Sequence, residues 1–222
     1  MERTIIHVMR HGEVDNPKGV LYGRLPGFGL TELGHSMAAR AAQYLVDSGA
    51  DITSVVSSPL LRAQLTAAPT AAAYGLTIQS DPRLIESDNV FEGMPVNSNR
   101  AMLANPKYYK YYRNPLRPSW GEPYRDVASR MSAALSSALR EARGHEALVV
   151  SHQNPIVTLT RFVNGQPLAH APKSRHCALA SITSFIFSGA TLVGTSYAEP
   201  AADLVAIAKD MTPGDSQAGL RR

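Results

Sequence analysis

The sequence predicts an α/β fold, a three-layer α/β/α sandwich built on a mainly parallel sheet. Short apolar runs alternate along the chain with longer segments that repeat apolar residues at helical spacing. Strands that alternate with helices favour parallel pairing, because each helix returns the chain to the same end of the sheet. With 222 residues, 44% of them hydrophobic and 18% charged, the chain is large enough for one domain that carries an inserted cap.

The order of the elements follows from local patterns. Residues 5–9 form an apolar run closed by Arg10, His11 and Gly12, which is typical of a buried strand that ends in a glycine turn. Thr31 is a suitable N-cap for the first helix, and Gly75 is a suitable terminator for the second. The strands are predicted at residues 5–9, 52–57, 76–78 and 147–150, the helices at 31–48, 60–74, 124–142 and 155–162, and an edge hairpin at 180–187 and 191–197.

Two long loops and a tail complete the organisation. Residues 15–30 are rich in glycine and proline, so their backbone can approach a ligand, and Gly23 is one substrate-binding candidate among them. Residues 87–124 are too long and irregular for a simple connection and are interpreted as a cap insertion. The domain is placed at residues 1–200, and residues 201–222 are interpreted as a partly disordered C-terminal tail.

Composition narrows the classes of function. The formal net charge of +4 mildly favours an anionic ligand, but the basic residues form no long stripe of the kind that binds nucleic acid. No segment approaches the ~20 apolar residues that span a bilayer, and no targeting signal is evident, so no membrane association is expected. The single cysteine, Cys177, excludes an intramolecular disulfide and favours a reducing, cytoplasmic location.

Unusual polar residues follow three of the predicted strands. The first strand ends at Arg10 and His11, the second leads into a segment that contains Arg62, and the fourth runs directly into His152. In an open parallel sheet, ligands bind beyond the carboxyl ends of the strands. If these three strands are neighbours, two arginines and two histidines converge on one point.

This set of residues suits phosphoryl transfer. The non-bridging oxygens of a phosphate need cationic donors with a forked geometry, and two arginines supply them. An imidazole attacks phosphorus through a neutral ring nitrogen, so the other nitrogen of His11 should be held as a donor, and a carbonyl near Gly12 could hold it. The leaving alcohol needs a proton, for which Glu86 is the candidate donor, with Glu13 and Glu92 as rivals.

Five motifs in order resemble the histidine phosphatase superfamily, also called the phosphoglycerate-mutase-like family. The resemblance covers roughly residues 4–198. One short motif would be weak evidence, but five in the right order on the predicted elements are specific. They are Val-Met-Arg-His-Gly-Glu at 8–13, Leu-Thr-Glu-Leu-Gly at 30–34, Ser-Ser-Pro-Leu-Leu-Arg-Ala at 57–63, Leu-Ile-Glu at 84–86 and Ser-His at 151–152.

The resemblance implies a role for each matched residue. His11 corresponds to the phosphorylated nucleophile and Glu86 to the proton donor. The phosphate pocket implied by the family consists of Arg10, Arg62 and His152.

Two further residues are carried over as substrate-binding candidates. Asn16 corresponds to a loop asparagine that holds a phosphate oxygen in many members, although its spacing from His11 is about one residue short. Gln153 stands where relatives commonly have glycine or another small residue, so its side chain is expected to add a contact with the substrate.

Departures from the mutase pattern favour the phosphatase branch. Mutases typically continue after the acidic residue with Tyr-Gly and Leu-Asn-Lys and carry paired arginines in the insertion. Here residues 87–93 read Ser-Asp-Asn-Val-Phe-Glu-Gly, and no adjacent arginines follow. Phe-Glu-Gly is similar to the Trp-Glu-Gly of phosphatase branches. Residues 120–123 resemble their Gly-Glu-Ser, but Pro123 replaces the serine, which leaves the role of Glu122 open.

The cap insertion combines aromatic and basic side chains. We expect it to lie over the pocket and to determine specificity, because rings with interleaved cations recognise bases, sugars or further phosphates. The cluster at 108–112 could equally form the core of the cap or a contact in a homodimer. The residues concerned are Lys107, Tyr108, Tyr109, Lys110, Tyr111, Tyr112, Arg113, Arg117 and Trp120.

The remaining histidines predict no further site. His7 and His35 are expected in packing or at the surface. His145, His170 and His176 have no partner at metal-ligand spacing, so no metal and no cofactor is expected. The sequence thus predicts a phosphomonoesterase that acts on a small phosphorylated metabolite through a phosphohistidine. A phosphoglycerate or phosphosugar mutase and a catalytically idle member that binds a phosphorylated ligand remain the alternatives.

Overall fold

The computed structural model describes residues 2–95, 104–111, 120–171 and 174–209. Within these ranges the chain forms a six-stranded sheet, and the strand order is β3-β2-β4-β1-β5-β6. The four strands from β3 to β1 are parallel, while β5 runs antiparallel to both β1 and β6. The strands are β1 Arg3–Arg10, β2 Ile52–Ser57, β3 Ile78–Ser80, β4 Glu146–Ser151, β5 Ile182–Ser188 and β6 Thr191–Ala198.

Helices cover both faces of the sheet, which confirms the three-layer prediction. Side chains of α1 and α2 pack with Met9 and Val150 on one face, and side chains of α3 and α4 pack with Ile6 and Val149 on the other. Because both faces are covered, the central strands are apolar throughout rather than alternating. The helices are α1 Glu32–Asp47, α2 Leu61–Ala73, α3 Tyr124–Glu141, α4 Gln153–Val163 and α5 Ala202–Val205, with 3₁₀ turns at Pro82–Leu84 and Pro106–Tyr111.

The strands β2, β4 and β1 are neighbours, as the predicted convergence requires. Arg10 pairs with Ser151 across the parallel ladder, and Ser57 pairs with Val150. Three strands therefore end at the same level of the sheet, and the segments that follow them meet there.

Two predicted boundaries shift for local reasons. Gly75 has a φ of +66°, and Leu76 N–H donates to the Ala71 carbonyl while Gly75 N–H donates to that of Ala72. These two bonds form a Schellman motif, so Leu76 belongs to the end of α2 and the strand begins at Ile78 instead. The last large helix begins at Gln153 rather than at Pro155, which places Gln153 in its first turn.

The fold continues beyond Pro200. Ala201 is buried, and Leu204, Val205 and Ala208 pack against the core on the α1 side of the sheet. The Lys209 N–H then donates to a carboxylate oxygen of Glu13 at 2.6 Å. Residues 201–209 of the tail predicted at 201–222 are thus part of the folded body, and residues 210–222 lie outside the described part.

The base of the cap insertion is closed by backbone bonds. Asn89 and Gly121 form an antiparallel bridge, and the Glu122 N–H donates to the Asp88 carbonyl at 3.1 Å. Residues 96–103 and 112–119 of the insertion lie outside the described ranges.

Across the described ranges, no helix combines the length and the apolar character needed to cross a bilayer.

Candidate active site

His11 lies immediately after β1 and is 2% exposed. Its Nδ1 is 2.8 Å from the Gly12 carbonyl oxygen. A carbonyl only accepts hydrogen bonds, so Nδ1 carries the proton and the lone pair of the neutral ring is on Nε2. The expectation that a carbonyl at Gly12 fixes this ring is confirmed.

The segment after His11 packs closely against the start of α1. A Cβ added to Gly12 would lie 2.6 Å from the Gly34 carbonyl oxygen, and one added to Gly34 would lie 2.1 Å from that of Glu13. The Thr31 hydroxyl caps α1 by accepting from the Gly34 N–H at 2.9 Å. Because Gly12 and Gly34 have no side chains, the backbone that follows β1 contacts the backbone at the start of α1, close to His11.

Arg10 and Arg62 are both fully buried near His11. Arg10 Nη1 donates to the Cys177 carbonyl at 2.7 Å, and Arg62 Nη2 donates to the Gly23 carbonyl at 2.6 Å. The Arg62 guanidinium also stacks 4.6 Å above the ring of Tyr22, a residue that the sequence did not single out. These contacts orient two cations at the carboxyl ends of β1 and β2.

Arg62 keeps donors for a ligand. Its Nε and Nη1 are buried and have no hydrogen-bond partner among the described residues. Burial lowers the pKa of Arg62, whereas the negative charges of Glu86 and Glu92 raise it. An arginine remains protonated in proteins, so Arg62 is a buried cation with two free N–H directions, a geometry suited to phosphate oxygens.

His152 completes the convergence. The ring is fully buried, its centroid is 5.2 Å from that of His11, and its Nε2 is 2.8 Å from the Ser58 hydroxyl. Burial lowers the pKa of His152 well below 6.5, and the positive charges of Arg62, His11, Arg130 and Arg10 lower it further. The imidazole is therefore neutral near pH 7 and contributes a hydrogen bond rather than a charge.

Glu86 lies at the edge of this group and is partly exposed. Its Oε1 accepts from the Ser87 N–H at 2.7 Å, and its negative charge acts on Arg62. Its backbone is held as well, because Arg24 Nε donates to the Glu86 carbonyl at 2.7 Å. Glu86 is thus close enough to Arg62 for its charge to act there, and the residue is partly exposed.

Glu122 joins the two arginines that hold the Glu86 segment. Its carboxylate accepts from Arg24 Nη2 at 2.8 Å and from Arg130 Nε and Nη2 at 2.8 and 2.9 Å. Arg130 Nη1 in turn donates to the Arg83 carbonyl at 2.6 Å. Sequence reasoning left the role of Glu122 open and missed Arg24 and Arg130; the only signal for this network was the resemblance at residues 120–123.

The rival carboxylates occupy different positions. Glu13 accepts from the Thr31 hydroxyl and from the Lys209 N–H, so both of its oxygens are engaged beneath the site. Glu92 Oε1 accepts from the Arg24 N–H at 2.8 Å. Burial is the main cause that raises the pKa of Glu92, which makes it a second protonatable group near the pocket.

The three substrate-binding candidates differ in what they contact. Gly23 has a φ of +38° and lies against the Glu92 carboxylate, and its carbonyl orients Arg62. Gln153 is buried, and its Oε1 has no hydrogen-bond partner in the described part of the chain. The Asn16 amide donates to the Val20 carbonyl at 2.8 Å and accepts from the Val20 N–H at 3.2 Å, so its side chain braces its own loop.

The described part of the insertion has an aromatic core. Phe91 is buried, and the rings of Tyr108 and Tyr111 pack edge-on against it at 5.3 and 5.9 Å. Lys107 and Lys110 lie over the rings of those two tyrosines. Tyr109 is 58% exposed. Tyr112, Arg113 and Arg117, which were predicted to contribute to specificity, lie outside the described ranges.

In the described residues, no group of three or more histidine, cysteine, aspartate or glutamate side chains is arranged to hold a metal ion.

Comparison with known proteins shows the family of the chain. The family model described as the histidine phosphatase superfamily (branch 1) matches residues 6–199. The uncharacterized protein Rv0525 of Mycobacterium tuberculosis is 50% identical over 201 residues, which cover 90% of this chain and 98% of the relative. A probable phosphoglycerate mutase, GpmB of Yersinia pestis, is 33% identical over 188 residues, which cover 80% of this chain and 83% of the relative.

Solved structures share the fold. YhfR of Bacillus stearothermophilus superposes with a TM-score of 0.70 at 26% identity, covering 85% of this chain and 94% of that one. The mycobacterial glucosyl-3-phosphoglycerate phosphatase Rv2419c superposes with a TM-score of 0.66 at 26% identity, covering 83% of this chain and 90% of that one.

Proposed function

Because the chain belongs to the histidine phosphatase superfamily, we propose that it is a phosphomonoesterase that hydrolyses a small phosphorylated metabolite through a phosphohistidine. The observation that carries the proposal is the fixed tautomer of His11. The Gly12 carbonyl holds Nδ1–H, which leaves the nucleophilic Nε2 among two buried arginines and a neutral histidine.

In the first step, His11 Nε2 attacks phosphorus and the bond from phosphorus to the ester oxygen breaks. Arg10, Arg62 and His152 donate hydrogen bonds to the equatorial oxygens, where charge is held in the transition state. Glu86 gives its proton to the leaving oxygen, so the product departs as an alcohol.

In the second step, water attacks the phosphohistidine. Glu86, now a carboxylate, takes a proton from that water, since the second step reverses the proton transfer of the first. The bond from phosphorus to Nε2 breaks and inorganic phosphate leaves. The chain's own arginines supply the positive charge, and the proposed mechanism uses neither a metal nor a cofactor.

A mutase is the second candidate, and the 33% identity to a probable phosphoglycerate mutase favours it. A mutase must keep the phosphohistidine from water until the substrate has reoriented, whereas a phosphatase admits water. Glu86 as a residue is partly exposed, which supports hydrolysis. Incubation with 3-phosphoglycerate and its bisphosphate separates the two, because isomerisation without net phosphate release would overturn the phosphatase proposal.

The proposal is tested by replacing His11 with Ala. We expect hydrolysis of para-nitrophenyl phosphate to fall to background in this variant. Rapid quenching of the unaltered protein in alkaline detergent, during turnover of ³²P-labelled substrate, should trap label on His11 that later acid treatment removes and base does not. The matched control is His145→Gln, because His145 is exposed and pairs with Asp51 at the opposite end of the sheet. Retained hydrolysis in His11→Ala would refute the role of this histidine, and an active protein that never takes up label would refute the intermediate.

A further inference from the structure

Asn154 lies in the first turn of α4, two residues after His152, and has no part in the chemistry above. Its side-chain Nδ2 donates to the Ser87 hydroxyl at 2.7 Å. The Ser87 N–H in turn donates to Glu86 Oε1 at 2.7 Å. Two consecutive hydrogen bonds therefore connect the helix that follows His152 to the carboxyl group of the proposed proton donor.

The junction between β4 and α4 also holds the chain just before Glu86. The Ser151 hydroxyl, at the end of β4, donates to the Leu84 carbonyl at 2.8 Å, and both residues are buried. The junction thus contacts residues 84–87 at both ends of that segment. The bond from Ser151 holds backbone alone, whereas the bond from Asn154 reaches the residue whose N–H binds the Glu86 carboxyl group.

The Asn154 side chain is bound through its amide nitrogen. Its Oδ1 is buried and has no hydrogen-bond partner among the described residues. An unpaired buried oxygen costs stability, so an apolar side chain would suit this position better if packing alone decided it. The structure offers one use for the amide, which is the hydrogen bond to the buried Ser87 hydroxyl.

The position of the Glu86 carboxyl group decides whether it can act as an acid. Proton transfer requires the donor to lie within hydrogen-bond reach of the leaving oxygen, and a partly exposed glutamate side chain is otherwise free to change rotamer. Because Glu86 Oε1 accepts from the Ser87 N–H, the proton of the acid is on Oε2. That N–H keeps its direction while the Ser87 side chain is held by Asn154.

We propose that Asn154 is a positioning residue for general acid catalysis. It holds Ser87 so that the Ser87 N–H binds Glu86 Oε1, and Oε2 then gives its proton to the leaving oxygen. This inference rests on the proposed function, in which Glu86 is the acid. Asn154 makes no bond with the substrate in this role, so its loss should slow proton transfer and leave phosphate binding unchanged.

Leaving-group dependence tests this role. The quantity to measure is kcat/KM for phenyl phosphate and for para-nitrophenyl phosphate, because kcat/KM includes no step after the ester bond has broken. General acid catalysis contributes about 100-fold or more. We expect Asn154→Ala to lose on the order of 10-fold with phenyl phosphate and less than about threefold with para-nitrophenyl phosphate, whose leaving group needs less acid help. Inhibition by inorganic phosphate should be unchanged.

Further variants isolate the path through Ser87. Ser87→Ala removes the same hydrogen bond from its other end, so it should match Asn154→Ala, and the double variant should be no slower than either. In a Glu86→Gln background, Asn154→Ala should cost less than about twofold more, because no proton donor remains to be positioned. Asn164→Ala is the matched control, since Asn164 is exposed at the opposite end of α4, and it should keep kcat/KM for both substrates.

Three results would overturn the role of Asn154. Equal losses on both substrates with weaker inhibition by phosphate would mean that its Oδ1 contacts the substrate. An undiminished loss in the Glu86→Gln background would mean that Asn154 acts independently of Glu86. The third is an unaltered leaving-group dependence in Asn154→Ala and Ser87→Ala, which thermal unfolding shows to be folded.

The Glu86→Gln protein separates this failure from failure of the proposed function. If Glu86→Gln slows phenyl phosphate selectively while Asn154→Ala and Ser87→Ala do not, the acid stands and only its support by Asn154 is refuted. If Glu86→Gln loses equally on both substrates, the proposed acid is wrong and the role of Asn154 falls with it.

Discussion

Replacing Gly34 with Ala tests whether contact between two backbones positions the nucleophile. A Cβ at this position would lie 2.1 Å from the Glu13 carbonyl oxygen, whereas ordinary contact begins at 3.4 Å. The first turn of α1 and the segment after β1 must therefore separate by about 1.3 Å, the difference between these two distances. Because Glu13 follows His11 by two residues, we expect the imidazole to shift with it.

The substitution has two opposite effects on the free energy of unfolding. Alanine is better than glycine inside a helix by roughly 0.5–1 kcal/mol, so helix propensity alone predicts a more stable protein. Overpacking costs about 1–3 kcal/mol, and the balance is a destabilisation of about 1 kcal/mol. A displacement of the reacting group by about 1 Å costs on the order of 100-fold in rate. The loss in kcat should thus far exceed the loss in stability.

The assay combines steady-state hydrolysis of para-nitrophenyl phosphate with thermal unfolding. We expect kcat to fall by on the order of 100-fold while Tm falls by only about 2–4 °C. Gly194→Ala in β6 is the matched control, because its nearest neighbour, Ile186 Cδ1, would lie 3.8 Å from the added Cβ. A Gly34→Ala protein that is more stable than the unaltered one and keeps its kcat would refute the reasoning.

Three further predictions concern proton transfer and pH. Glu86→Gln should slow hydrolysis of phenyl phosphate by on the order of 100-fold or more but that of para-nitrophenyl phosphate much less, because the better leaving group needs less acid help. Glu122→Gln should show the same trend more weakly, since Glu122 acts through Arg24; equal losses on both substrates would contradict these roles. Because the pKa of His152 is well below 6.5 in the folded protein, the unfolded chain binds more protons below pH 6.5. The free energy of unfolding should therefore fall with decreasing pH, by up to about 1.4 kcal/mol per pH unit from this residue. Urea unfolding of His152→Asn between pH 7.5 and 5.0 should show a shallower dependence, and an unchanged slope would count against a neutral His152.

Residues placed by local pattern were predictable from the sequence. The apolar runs before His11 and His152 predicted two strands, which the structure places side by side, and parallel strands present their carboxyl ends together. Thr31 marked the start of α1, which its hydroxyl does cap. A site built at strand ends can therefore be anticipated as soon as the strands are recognised.

Contacts made by long side chains were not predictable. Arg24 and Glu122 are 98 positions apart, and nothing local in either segment indicates that they meet. Asn16 was singled out by a motif match, but a motif match does not show that its side chain hydrogen-bonds with Val20.

The central position of β1 bears on how the protein folds. This strand is made first, yet Ile5 pairs with Glu146 on β4 and with Ile186 on β5. At a synthesis rate of ~5–20 residues per second, β1 waits on the order of 10 s for a neighbour. Pairings between such distant residues also make folding slow. The nucleophile is therefore synthesised well before the strands that complete its pocket, and an apolar strand without partners is open to aggregation or chaperone binding in the interval.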